Sequence, residues 1–334
     1  MKITILPARY GDSILFELEN NDKKFLVDCG FKQTYSRELK KLTSEVDFII
    51  LTHVDEDHIN GVFPLLEDYP KKFSLEKVYI NTPESYAAPA TNSGEISIRQ
   101  AITIEQLLLD KSIPYHSLLQ GDRVIIQDDI WLEIISPTSE DVNYFNSMYR
   151  TVKADWIAET EISINEKIEN METLSQKKDS FKTKKADFVN AASIAFILKF
   201  KNKKLLFLGD AHPETITEYL KKEGYSTQNK YVFDYIKLSH HGSITSISNE
   251  FISLITCNKF IFSTNGGKSK SRHPSRELIA KLALNIERAE AETLTFLFNY
   301  PVEEITNRNG VLATQEEMAL YRIEFENCLE IHLQ

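Results

Sequence analysis

Residues 51–61, LTHVDEDHING, bring His53, Asp55, Asp57 and His58 together within six positions, immediately after the apolar run Phe48 to Leu51. Imidazole nitrogen and carboxylate oxygen are the donors that zinc, manganese and iron take, so four such groups in one turn suit a metal site. If the segment is extended, its period-two spacing sends His53, Asp55 and Asp57 to one side, and His58 turns across. A solvated acidic loop with incidental histidines would explain one His beside one Asp better than it explains the whole string. A second cluster, His240 and His241 in KLSHHGS, also follows an apolar run. Two adjacent imidazoles at a strand end each need a partner, which makes an incidental pair a poor account of them.

The elements that must carry these groups are legible from hydrophobic pattern. Phe48 to Leu51 reads as a buried strand delivering a loop to a sheet rim, with a helix expected from about Asn60. Met1 to Leu18 reads as two strands joined at Arg9 to Asp12, and Lys24 to Val27 as a third running into Asp28, Cys29 and Gly30. Asn190 to Phe200 and Lys204 to Asp210 form a hairpin ending in Gly209 and Asp210. Tyr235 to Ser239 and Phe260 to Ser263 are further strands, and Pro274 is expected to open a helix through Leu284 as its first residue. The strand, helix, strand rhythm indicates a layered α/β fold. Residues 139–185 break it: they are rich in Glu, Lys, Asn and Thr, lack Gly and Pro, and place Val142, Phe145, Met148 and Tyr149 at helical intervals. Their basic end, Lys177, Lys178, Lys182, Lys184 and Lys185, is read either as a solvated face or linker, the plainer account, or as a lid over an anionic substrate.

The motif resembles that of the metallo-β-lactamase-fold hydrolases, HxHxDH at the end of a strand, here in the form HxDxDH. Within that superfamily the pattern is most similar to the soluble hydrolase-like domain of DNA-uptake competence proteins, which also carries Asp at the second position. The resemblance implies a four-layer αββα sandwich in two halves, about 1–138 and 186–300, within a single domain spanning 1–334. Residues 139–185 are then a helical, Lys-rich insertion, and 301–334 a C-terminal strand addition. It also implies two divalent cations, zinc or manganese, with His53 and Asp55 on one, Asp57, His58 and His241 on the other, and Asp210 bridging. The Asp in place of the second His makes that site harder and favours manganese more than the usual pattern does. Asp28 and Asn190 are expected behind the ligands, and Asp57, His240 and His273 as catalytic groups. A family histidine between the first motif and the Asp210 hairpin has no counterpart here.

The implied chemistry is hydrolysis by a metal-bound hydroxide. A phosphodiester in nucleic acid or a nucleotide is the leading substrate, because Lys268, Lys270 and Arg272 make one loop basic in a chain of net charge −10. Acyl hydrolysis of a lactone, thioester or amide is the alternative. A sensor or interaction protein with a structural metal loop fits less well, since structural zinc prefers closed Cys/His shells. Cys29, Cys257 and Cys328 are too few and scattered for a disulfide framework. No stretch reaches the length of an apolar membrane span, and the N-terminus carries no cleavage pattern, so a cytoplasmic enzyme without membrane partners is expected.

Overall fold

The structure is a computed structural model that describes residues 1–19, 22–82, 96–151, 168–267 and 272–334, with the backbone alone for 96–102 and 149–151. The first strands in the chain are β1 (Lys2–Ile5), β2 (Ile14–Glu17), β3 (Lys24–Val27), β4 (Glu45–Leu51), β5 (Ser74–Ile80) and β6 (Tyr115–His116). They are followed by β7 (Arg123–Gln127), β8 (Ile130–Ser136), β9 (Ala195–Phe200), β10 (Lys203–Phe207), β11 (Tyr231–Val232) and β12 (Tyr235–Lys237). The remainder are β13 (Ile255–Thr256), β14 (Lys259–Phe262), β15 (Leu294–Phe298), β16 (Ile323–Asn327) and β17 (Glu330–His332). Among the described residues one sheet has the order β17-β1-β2-β3-β4-β5-β6 and the other β16-β15-β14-β12-β10-β9-β8-β7, while β11 and β13 pair separately.

Period-two alternation explains why the two sheets stack. Ile14, Phe16, Phe25, Val27, Phe48 and Ile50 face the same core as Phe196, Leu198, Leu205 and Phe207 of the other sheet. The residues between them, Leu15, Leu26, Ile49 and Leu51, face outward and are covered by Leu39, Leu65, Leu66, Ile104 and Leu108. On the far side Ile197, Leu206, Phe260, Phe262 and Phe296 pack against Ile216, Leu220, Leu278, Ile279 and Leu282. Three separate apolar interfaces require four layers, helix, sheet, sheet, helix. This is the αββα sandwich.

The boundary between the sheets falls earlier than the expected split at 138. The hairpin β7–β8 belongs to the second sheet, because β8 pairs antiparallel with β9 from Ile130↔Phe200 to Ser136↔Ala195. Ile130, Leu132 and Ile134 of β8 enter the core between the sheets with Phe196, Leu198 and Phe200 of β9, and β7 forms the exposed edge. The C-terminal residues contribute more than strands: helices Val302–Asn309 and Gln315–Tyr321 precede β16, which edges the second sheet, and β17, which edges the first.

The insertion is tied down on both sides. Its first helix, Ser139–Thr151, places Phe145 in the outer core of the first sheet. Met171 and Leu174, from helix Met171–Ser175, enter the outer core of the second. The buried Lys281 amine reaches Asp179 Oδ1 at 2.9 Å, and the buried Arg276 donates to the Glu169 carbonyl at 3.1 and 3.2 Å. Lys177 pairs with Glu169 at 2.8 Å, and Lys184 with Asp141 at 3.3 Å. Residues 169–187 are thus a strap fixed by packing and ion pairs and not a linker, while Lys178, Lys182 and Lys185 lie on a solvated face, as the plainer account expected. Among the described residues no helix is long and apolar enough to cross a membrane.

Candidate metal centre

The first motif folds differently from an extended segment. After Asp55 the chain turns into a short helix, Glu56–Ile59, with the His58 and Ile59 amides bonded back to the Asp55 carbonyl at 3.0 and 3.1 Å. The helix therefore starts four residues before Asn60, and it is a helical turn that swings His58 back beside His53, their rings 4.2 Å apart. Backbone contacts from the β1–β2 turn hold it from behind. Gly11 lies against the Asp57 carbonyl, where a Cβ would collide with the oxygen, while the Asp12 amide donates to that oxygen at 3.3 Å. Ser263 Oγ donates to the Gly11 carbonyl at 2.9 Å. Glycine is needed at position 11 because no side chain fits between the two loops.

Each of three imidazoles is fixed through Nδ1. His58 Nδ1 lies 2.7 Å from Asp28 Oδ2, and His53 Nδ1 lies 3.1 Å from Thr52 Oγ1 and 3.5 Å from Ser193 Oγ. His241 Nδ1 lies 3.1 Å from the Ser263 carbonyl. Asp28 is fully buried and also accepts from the Thr52 amide and hydroxyl, both at 2.7 Å. Anchoring Nδ1 turns Nε2 inward, and all three Nε2 atoms approach Asp210: His58 at 3.4 Å from Oδ1, His53 at 3.8 Å and His241 at 4.0 Å from Oδ2. Asp57 Oδ2 is 3.2 Å from His241 Nε2 and 3.8 Å from His58 Nε2, and Asp55 Oδ2 is 3.5 Å from His53 Nε2.

These separations carry a meaning. Donors about 2.0–2.1 Å from one tetrahedral ion sit roughly 3.3 Å from each other. The Nε2 atoms of His53 and His58 are buried and, among the described residues, have no hydrogen-bond partner. A buried polar nitrogen with no partner is costly unless something else meets it. His53, His58 and Asp210 offer donor atoms within 4.8 Å of one another, as do Asp12, His58 and His241. The donor set and its spacing fit divalent cations, with each imidazole supported from behind as metal ligands commonly are.

The electrostatics point the same way. Burial alone would push the Asp210 carboxyl up, but His58, His240, His241 and His53 outweigh it and hold the group well below the usual carboxylate range. Burial lowers the His58 imidazole, yet Asp210, Asp28 and Asp57 carry it well above its ordinary value. For His241 the same contest, with Asp12 and Asp210 opposing burial, ends at about 9. Each charge here stands only because its opposite is beside it.

His240 and His241 occupy left-handed backbone, φ 47° and 55°, ahead of Gly242 at φ 88°. At Gly242 a Cβ would lie 2.6 Å from the Phe262 ring, so the loop turns there on glycine alone. The consecutive left-handed residues aim the two imidazoles differently, the strain being held by His240 N–H bonds to the Gly209 carbonyl at 3.1 Å and Asp210 Oδ1 at 3.2 Å. His241 is buried against Asp57, whereas His240 is about one-third exposed, with Nε2 4.0 Å from Asp210 Oδ2 and its ring 5.3 Å from His273. Burial and the neighbouring His240 and His241 hold the His273 imidazole well below its ordinary value.

Other expected positions lie elsewhere. Asn190 donates to Asp187 at 3.2 Å and not to a candidate ligand; the hydroxyl of Ser193, three residues on, fills that place by meeting His53 and accepting from the Asp210 amide at 3.1 Å. The Arg272 guanidinium donates to the Arg308 carbonyl at 3.0 Å, and Lys268 and Lys270 are outside the described residues. Pro274 precedes its helix, which spans Arg276–Asn285 with Ser275 as the capping residue. Thr52, Ser193, Ser263, Lys237 and Asp12 also build the site, although no motif marks them. Asp12 is buried and paired with the buried Lys237, and its Oδ1 lies 3.5 Å from His241 Nδ1. The only signal for these was adjacency to the motifs, as with Thr52 before His53.

Residues 6–84 match the model of the metallo-beta-lactamase superfamily. The αββα architecture is the metallo-β-lactamase fold, and the donor set is one that can hold divalent cations. No curated protein matches the chain. Among solved structures, the metallo-beta-lactamase fold protein YhfI from Bacillus subtilis is similar at 12% identity and TM-score 0.45, over 98% of this chain and 95% of that one. Zn(2+)-bound PqqB from Methylobacterium extorquens is similar at 11% identity and TM-score 0.43 over the whole of both chains. A diphosphatase from the PhnP family is similar at 10% identity and TM-score 0.41, over 100% of this chain and 98% of that one. Likeness at this level carries nothing about chemistry.

Proposed function

We propose that the chain hydrolyses an anionic phosphodiester, in a nucleotide or nucleic acid, with two divalent cations held by His53, Asp55, Asp57, His58, Asp210 and His241. The observation that carries this reading is the convergence on Asp210 of three imidazoles, each fixed through Nδ1. Charge supports two ions. With neutral imidazoles, Asp12, Asp28, Asp55, Asp57 and Asp210 outnumber the single Lys237 by four negative charges, and two dications offset four. Zinc and manganese both suit mixed nitrogen and carboxylate donors, and the three candidate carboxylate ligands make the site harder than one built of histidines.

Bound cations would supply an activated water and a clamp on the substrate's oxygens. The protein's own residues do the positioning. Asp28, Thr52, Ser193 and Ser263 hold the imidazoles in the tautomer that leaves Nε2 free. His240, exposed at the mouth and beside Asp210, is placed to give a proton to a leaving oxygen, and His273 is its neighbour on the open side.

A second reading, acyl hydrolysis, is favoured by one observation: one Arg272 N–H is taken up by the Arg308 carbonyl, so that guanidinium is turned toward helix Val302–Asn309. The deciding experiment strips the protein of metal, restores zinc or manganese, and compares bis(p-nitrophenyl) phosphate with a thioester. Phosphodiester turnover that returns with metal and is absent in Asp210→Ala supports the proposal. Turnover of the thioester alone overturns it in favour of the acyl reading, and turnover unaffected by stripping overturns both.

A further inference from the structure

Arg9 stands in left-handed backbone, φ 62°, in the turn between β1 and β2. That conformation is uncommon for a residue with a side chain and is kept only where the surroundings fix it. Here they do: the Arg9 amide donates to the Tyr300 hydroxyl at 2.7 Å, and its carbonyl accepts from the Asn265 amide at 2.8 Å. Two residues later Gly11 packs on the Asp57 carbonyl, so the turn is locked in register with the candidate metal loop. The segments it touches follow β14 and β15, and the metal loop follows β4, so all of them leave their sheets at one end of the sandwich.

Among the described residues the side chain held there is a cation without a countercharge. Arg9 is exposed, its guanidinium lies 5.6 Å over the Phe31 ring, and among the described residues no carboxylate pairs with it. Tyr10 packs edge-on against the same ring, centroids 5.0 Å apart, and its phenol feels Asp57 on one side and Arg9 on the other. A guanidinium resting on an aromatic face keeps its five donors in one plane and free to form a fork with an oxyanion.

We propose that Arg9 is a substrate-binding residue that receives a phosphoryl oxyanion flanking the bond to be hydrolysed, with Phe31 and Tyr10 as its platform. This rests on the phosphodiesterase reading and supplies the cation that Arg272 does not. Because substitution of the side chain leaves the backbone bonds to Tyr300 and Asn265 in place, Arg9→Met and Arg9→Lys should fold and bind metal as the parent does.

The test uses the metal-loaded full chain. Arg9→Met should raise KM for bis(p-nitrophenyl) phosphate roughly tenfold or more with kcat within about twofold, as expected when a charge-assisted bond made equally in ground and transition states is lost. Arg9→Lys should fall between, since it keeps the charge and loses the fork. Unchanged KM in Arg9→Met, with metal content equal to the parent, overturns the proposal. Should the parent turn over no phosphodiester, the functional reading fails, and calorimetric titration with inorganic phosphate decides Arg9 separately. Binding by the parent that weakens tenfold in Arg9→Met supports the oxyanion site; equal binding, or none by the parent, overturns it.

Discussion

Asp28→Asn is the sharpest test of how the candidate metal centre is held. The substitution is isosteric, and Asn tolerates the left-handed backbone that Asp28 adopts, φ 57°, so the turn itself should survive. What changes is the direction of hydrogen bonds. Asp28 accepts from the Thr52 amide, the Thr52 hydroxyl and His58 Nδ1, each at 2.7 Å. An amide can keep the first through its oxygen, and the Thr52 hydroxyl can rotate to accept. His58 cannot adapt without loss: facing an N–H donor, its Nδ1 must become the acceptor, which moves the proton to Nε2 and takes that lone pair out of the site. Loss of one charged hydrogen bond should lower the stability of the metal-free protein by about 1.5–3 kcal/mol. Loss of the tautomer should weaken metal binding by about 10–100-fold, the range typical of groups that orient ligands. Urea unfolding of the stripped protein and zinc competition against a chromophoric chelator measure the two separately. Wild-type zinc affinity in Asp28→Asn would refute the argument that Nδ1 anchoring is what points His58 inward.

Three other outcomes are expected. Gly11→Ala should displace the Asp57 loop, because its Cβ meets the Asp57 carbonyl; metal content and turnover should fall together, and unchanged values would show that the two loops are free to part. Asp179→Ala should cost about 3–5 kcal/mol in urea unfolding, since it strips a close partner from the fully buried Lys281 and leaves Glu277, 3.8 Å away, as the remaining acid. Lys281→Met added to it should recover most of that loss, and no recovery would mean that the strap is held by packing alone. His241→Ala should reduce metal occupancy, whereas His240→Ala should keep the metal and lose turnover by about 10²–10⁴-fold, the usual yield of a general acid; metal analysis that reverses this order exchanges their roles.

The layers were legible because alternation is a local property. Leu15 between Ile14 and Phe16, or Ile49 between Phe48 and Ile50, announces a strand buried on both faces, and several such strands require cover on each side. What alternation does not reveal is the neighbour. The hairpin Arg123–Ser136 reads the same whether it edges the first sheet or the second, and only pairing with β9, far along the chain, decides. In the insertion the decisive contacts join Asp179 to Lys281 and Glu169 to Arg276, over separations no periodicity spans.

The site divides along a similar line. Donor residues concentrate in short strings because a strand end delivers few positions to a rim, so chemistry of this kind is crowded in sequence as well as in space. The groups that orient them are single hydroxyls and backbone atoms: Thr52, Ser193, the Ser263 carbonyl, the Gly11 backbone against Asp57. Any serine or glycine could serve, so residue type carries no information, and only the fold says which one does. The same reasoning explains why the loop of Lys268, Lys270 and Arg272 drew attention in the sequence and Arg9 did not. Clustered charge is visible without a structure, but Arg272 is turned toward the Arg308 carbonyl, while the solitary Arg9 sits two residues from Gly11, which packs on Asp57, and among the described residues no carboxylate pairs with it. Binding energy for an anion depends on which cation has no other partner, and that is a property of the folded chain.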